Sequence, residues 1–110
     1  MNSAAKHVKH HMPIACSLSG QELAKRRREL ADEIFAQTLR TEELGDGYEF
    51  SFSGSPGWAG KLAGMIEAER ECCPFLTFAL YFEPDGGPIS LRVTGPEGAK
   101  AFIGEELMPS

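Results

Sequence analysis

The sequence predicts an α+β domain of two layers, a mostly antiparallel sheet with helices packed on one face, in the order β-α-β-α-β-β-α. Three observations carry that expectation. Tyr48-Glu49-Phe50-Ser51-Phe52-Ser53 and Leu76-Thr77-Phe78-Ala79-Leu80-Tyr81-Phe82 alternate with the period of half-buried strands. Leu23, Leu30, Ala31, Ile34 and Phe35 recur with the period of a helix, as do Trp58, Leu62, Met65, Ile66, Glu69, Cys72 and Cys73. Glu83-Pro84-Asp85-Gly86-Gly87-Pro88 has the composition of a hairpin loop and joins the later strand to Ile89, Leu91 and Val93.

The elements follow in order. Residues 1–12 read as a flexible N-terminal tail, in which His7, His10 and His11 have helical spacing but nothing to hold a helix together. Residues 13–110 read as a single domain. Pro13 to Leu18 alternates as a short strand, with Ile14, Cys16 and Leu18 on one side. Ser19 and Glu22 then form a capping box for a helix running to Leu39 or Arg40. Glu43 to Gly47 is expected to turn, and Tyr48 to Ser53 to follow as a strand. Ser55 as N-cap and Pro56 at the first helical position open the second helix, which Pro74 closes. A second capping box, Thr94 to Glu97, opens a last helix with Ala99, Phe102, Ile103 and Leu107 inward. Trp58 and the aromatics Tyr48, Phe50 and Phe52 are expected in the core.

Composition narrows the function. At 110 residues, 42% hydrophobic and 25% charged, the chain has the make-up of one globular domain rather than a disordered segment. No apolar run is long enough to span a bilayer, and the start lacks the apolar stretch of a secretory signal, so a cytoplasmic protein without a membrane role is expected. The net charge of −5 argues against nucleic acid as a partner, because phosphate attraction supplies most sequence-independent affinity for it. Arg26-Arg27-Arg28 fans around a helix and is expected to be a solvated surface.

The chemistry is concentrated in Glu69-Arg70-Glu71-Cys72-Cys73-Pro74. Residues three and four apart share a helix face, so Glu69 lies beside Cys72 and Cys73, in line with apolar Leu62 and Met65. A carboxylate on an inward face needs a partner, for which Arg92 or one of Arg26 to Arg28 is available. Pro74 pushes Cys73 out of helical geometry while Cys72 keeps it. That break lets one soft ion meet both sulfurs, with Cys16 or Glu69 as a further ligand. Thiolates suit zinc, copper(I) or mercury(II). A metal-free nucleophile is disfavoured, since a helix C-terminus and a carboxylate both oppose a thiolate. A structural disulfide is not expected in a reducing cytosol.

Four segments resemble a family of small, uncharacterised bacterial proteins: Pro13 to Leu18, Asp46 to Phe50, Glu69 to Phe78 with its vicinal cysteines, and Gly95 to Ala99. The resemblance covers the body from Met12 to the end. It implies thiol-based handling of a heavy metal, with Cys16, Glu69, Cys72 and Cys73 as the positions carried over, and brings no established activity.

Three functions remain open on the sequence. One is binding of a soft metal or metalloid through Cys72 and Cys73, assisted by Cys16 or Glu69. Another is a non-enzymatic homodimeric interaction module whose cysteines belong to the core and whose sheet edge pairs with a second chain. The third is an enzyme that uses Glu69 as base or Cys73 as nucleophile on a small molecule, in a cleft between the second helix and the sheet.

Overall fold

The structure, a computed structural model, describes residues 21–108, with side chains from residue 25 onward. The tail of residues 1–12 and its histidines, the strand expected over 13–18, Cys16 and the Ser19 cap lie outside the described residues. Within them the elements are α1 (Gln21–Phe35), β1 (Arg40–Leu44), β2 (Gly47–Phe52), α2 (Trp58–Cys72), β3 (Thr77–Phe82), β4 (Ile89–Thr94) and α3 (Ala99–Glu106). The four strands form one antiparallel sheet in the order β1-β2-β4-β3.

Alternation in the sequence becomes two faces in the sheet. The register sets Phe50 beside Leu91 and Leu91 beside Leu80, with Tyr48, Val93 and Phe78 in the next row and Phe52, Ile89 and Phe82 beyond. The helices cover this face with Ala31, Ile34 and Phe35 of α1, Leu62 and Met65 of α2, and Ala99 and Ile103 of α3. Phe35 meets Phe50 edge-on at 4.7 Å between ring centres, and Trp58 stacks on Phe52 at 5.5 Å; of the aromatics expected in the core, Phe50 and Phe52 are buried, while Tyr48 and Trp58 are half-buried against it. The other face is polar. There Arg92 donates to Glu49 at 2.6 Å, and its guanidinium lies 5.3 Å from the Tyr81 ring.

The two-layer α+β expectation holds, but the order of the described elements is α-β-β-α-β-β-α. The first helix ends at Phe35, short of Leu39, and Arg40–Leu44 is a strand where a helix end and a turn were expected. The cause is local. Gln37 and Thr38 donate to the carbonyls of Ile34 and Phe35, tightening the last turn, and the Leu39 amide is captured by Ser51 at 2.7 Å. β1 then pairs along β2 from Arg40 opposite Ser51 to Leu44 opposite Gly47.

Both expected side-chain caps fall elsewhere. α2 begins after Gly57 (φ 96°) and α3 after Gly98 (φ 94°), and neither cap makes a side-chain hydrogen bond. The Ser55 amide instead bonds the Ser53 hydroxyl, while the Ser55 carbonyl accepts from Trp58, making a turn before the helix. The β3–β4 loop matches its composition. Asp85 (φ 60°) and Gly86 (φ 69°) are both left-handed, and Gly87 donates to Pro84 at 3.1 Å, as in a type I′ turn. No described helix is long and apolar enough to cross a membrane.

Candidate functional site

The last turn of α2 places Glu69 one turn after Met65 on the buried stripe, and Cys72 one turn further. Pro74 has the effect its sequence position requires: Cys73 leaves the helix at φ −125°, ψ 73°, while its amide still donates to the Glu69 carbonyl. Glu69, Cys72 and Cys73 are each fully buried.

Glu69 is matched by Arg27 of α1. Nη1 of Arg27 lies 3.2 Å from Oε1 and 3.1 Å from Oε2 of Glu69, and Arg27 is itself buried. This corrects the expectation that the arginine triplet is a solvated surface: Arg26 and Arg28 are exposed, but Arg27 faces inward. The signal was present in the sequence, because Arg27 stands four residues before Ala31 and seven before Ile34, on the buried stripe itself. Leu30, assigned to that stripe from its spacing, lies at its exposed margin.

The Cys73 thiol donates to Glu69 Oε1 across 3.8 Å, completing an Arg27–Glu69–Cys73 cluster. Burial pushes the Glu69 carboxyl above the usual carboxylate range, and the Arg27 guanidinium only partly offsets it. The Cys73 thiol is pushed up to about 12, first by burial and then by the Glu69 charge. At that value about one molecule in 10⁵ carries the thiolate at pH 7. The arginine brought in by tertiary folding therefore serves the carboxylate rather than the sulfur.

Cys73 is a free thiol, whereas Cys72 is disulfide-bonded, contrary to the expectation drawn from compartment alone. Of the four positions expected to ligate a soft ion, the structure brings Glu69 and Cys73 together, holds Cys72 in a disulfide, and does not describe Cys16. Among the described residues no group of three or more His, Cys, Asp or Glu could hold a metal ion.

Two open grooves lie apart from this cluster. One of about 610 Å³ runs between α2 and β3, over Ile66, Phe78 and Leu80, beside Gly60, Ala63 and Gly64, with Glu67 and Arg70 at its rim. The other, about 350 Å³, lies on the polar face of the sheet near Thr77, Ala79, Tyr81 and Arg92. Neither is lined by Glu69 or Cys73. The first groove lies where a cleft between the second helix and the sheet was expected, but Glu69, expected at its wall, is not among the residues that line it.

No family model matches the chain, and no curated protein or solved structure matches it either.

Proposed function

We propose that the chain is a small non-enzymatic interaction module that works as a homodimer, its cysteines belonging to the core rather than to a reactive site. The observation that supports this reading is that Glu69, Cys72 and Cys73 are all out of water, with Glu69 committed to Arg27. A ligand or substrate would have to displace a buried ion pair to reach them, and breaking such a pair leaves an uncompensated charge. Of the large apolar side chains that face solvent among the described residues, Tyr81 and Phe82 stand together on the β3 side of the sheet, apart from Leu30 and Leu39.

Thiol labelling of the native protein tests the reading. With its pKa near 12 instead of 9.0, Cys73 forms about 10³-fold less thiolate at pH 8 than an unfolded cysteine does, and reacts at least that much more slowly. Free reaction of Cys73 in the native state, at the rate measured in denaturant, would sink the reading.

A second reading, binding of a soft metal or metalloid through Cys72 and Cys73 with Cys16 or Glu69, is favoured by one observation: the Cys73 sulfur already lies 3.8 Å from a Glu69 oxygen. It requires Cys72 reduced, the state a cytoplasmic setting maintains, and Arg27 drawn off Glu69. Titration of the reduced protein with zinc, copper(I) or mercury(II), followed by mass and thiol absorbance, tests it. Binding that persists unchanged in Cys72→Ser/Cys73→Ser excludes this pair as the ligands.

A further inference from the structure

The two edges of the sheet are built differently. β1 carries Arg40, Glu42 and Glu43 within five residues, the kind of charge by which edge strands resist pairing with other chains. β3, Thr77-Phe78-Ala79-Leu80-Tyr81-Phe82, has no charge and no proline, and among the described strands it pairs only with β4. Among the described residues no strand pairs with its outward backbone groups, and beside them Tyr81 and Phe82 are 48% and 59% exposed.

The groove along this edge has the features of a helix-packing surface. Its floor is apolar, and Gly60, Ala63 and Gly64 on α2 are exposed and small enough to let a second helix approach closely. Its rim carries Glu67 and Arg70, one helical turn apart, opposite in charge, exposed, and without an ion-pair partner among the described residues.

We propose that β3 pairs antiparallel with β3 of a second copy across a two-fold axis, doubling the four-stranded sheet and bringing Glu67 of each copy to Arg70 of the other. A two-fold contact uses the same patch twice, so the patch must complement itself. This one does: an antiparallel strand matches its own copy, and the rim holds both members of the ion pair. The inference rests on the interaction-module reading and names its interface.

The test is light scattering across a concentration series, in reductant so that no intermolecular disulfide contributes, with thermal unfolding as a check on folding. The wild type is expected at twice 12.0 kDa. Ala79→Lys sets a charge in the middle of the edge, on the polar face, and should weaken association by roughly tenfold or more. Glu67→Arg and Arg70→Glu should each weaken it as well, and mixing these two variants should restore a dimer, because each supplies the charge the other lacks. That mixing experiment keeps the test valid if Ala79→Lys does not fold. A monomeric wild type overturns the proposal. A dimer that ignores all three variants overturns this interface while leaving the module reading in place.

Discussion

Arg27 and Glu69, 42 residues apart in the chain, share a single guanidinium nitrogen between two carboxylate oxygens at 3.2 and 3.1 Å, with both side chains out of water. The pair joins α1 to the end of α2, next to the point where Pro74 breaks that helix. Among the described residues it is not fully satisfied, since the buried Arg27 Nε atom has no hydrogen-bond partner there. A buried pair of this kind contributes little net stability but is costly to break from one side.

Removing one partner should therefore cost far more than removing both. Arg27→Met leaves the Glu69 carboxylate buried alone and is expected to destabilise the fold by about 3–5 kcal/mol near neutral pH. Arg27→Met/Glu69→Leu should recover most of that loss, measured by urea unfolding. The loss should also depend on pH. Without Arg27 the Glu69 carboxyl, already raised by burial, is raised further, because the charge that partly offset the burial is gone. The Arg27→Met penalty is then smallest below the usual carboxylate range and grows as pH rises and the unfolded chain releases that proton.

The Cys73 thiol makes a prediction at the other end of the pH scale. Its folded value of about 12 lies above the ordinary 9.0, so native and unfolded chains both hold the proton below pH 9. Between 9 and 12 the unfolded chain loses its proton first, and the stability contributed by Cys73 falls by about 1.4 kcal/mol per pH unit. Cys73→Ala should flatten the stability–pH curve in that window relative to wild type. Equal slopes for the two proteins would show that the thiol is not held protonated by its surroundings.

Much of this arrangement was legible in the sequence, and the gaps have physical causes. Phe50, Leu91 and Leu80 could be assigned to one face because alternation is a local property of each strand. Glu69 and Cys73 could be placed together because one helix turn joins them. Arg27 was not singled out as the partner of Glu69: its place on the buried stripe, four residues before Ala31, distinguishes it from Arg26 and Arg28, but which carboxylate it meets is a tertiary matter that spacing along one helix does not carry. β1 escaped notice because an edge strand exposed on both faces carries no hydrophobic alternation: Arg-Thr-Glu-Glu-Leu has the composition of a helix end. The caps were misplaced because Ser55 and Thr94 fit a side-chain cap by type, whereas the backbone uses the left-handed freedom of Gly57 and Gly98.

The difference between Cys72 and Cys73 can be checked chemically. Alkylation of the oxidised protein in denaturant should modify Cys73 and spare Cys72, because of these two only Cys73 is a free thiol. Reduction before alkylation should expose both, and peptide mass mapping distinguishes the two patterns. Modification of Cys72 without prior reduction would contradict its disulfide.

The glycine caps lead to a last prediction. Gly57 has φ 96° with nothing within 4 Å of where a Cβ would stand, so substitution there meets no neighbour, and any cost is that of the backbone conformation alone. A left-handed L-residue costs about 1–2 kcal/mol, so Gly57→Ala should destabilise by that amount. Ser55→Ala, at the expected but unused cap, should cost less than the typical ~1 kcal/mol of a lost N-cap side chain, because its hydroxyl meets only Ser53 in an exposed turn. Urea unfolding of the two variants ranks them. If Ser55→Ala proves the more damaging, the helix depends on a side-chain cap after all, and the left-handed glycine is not what starts it.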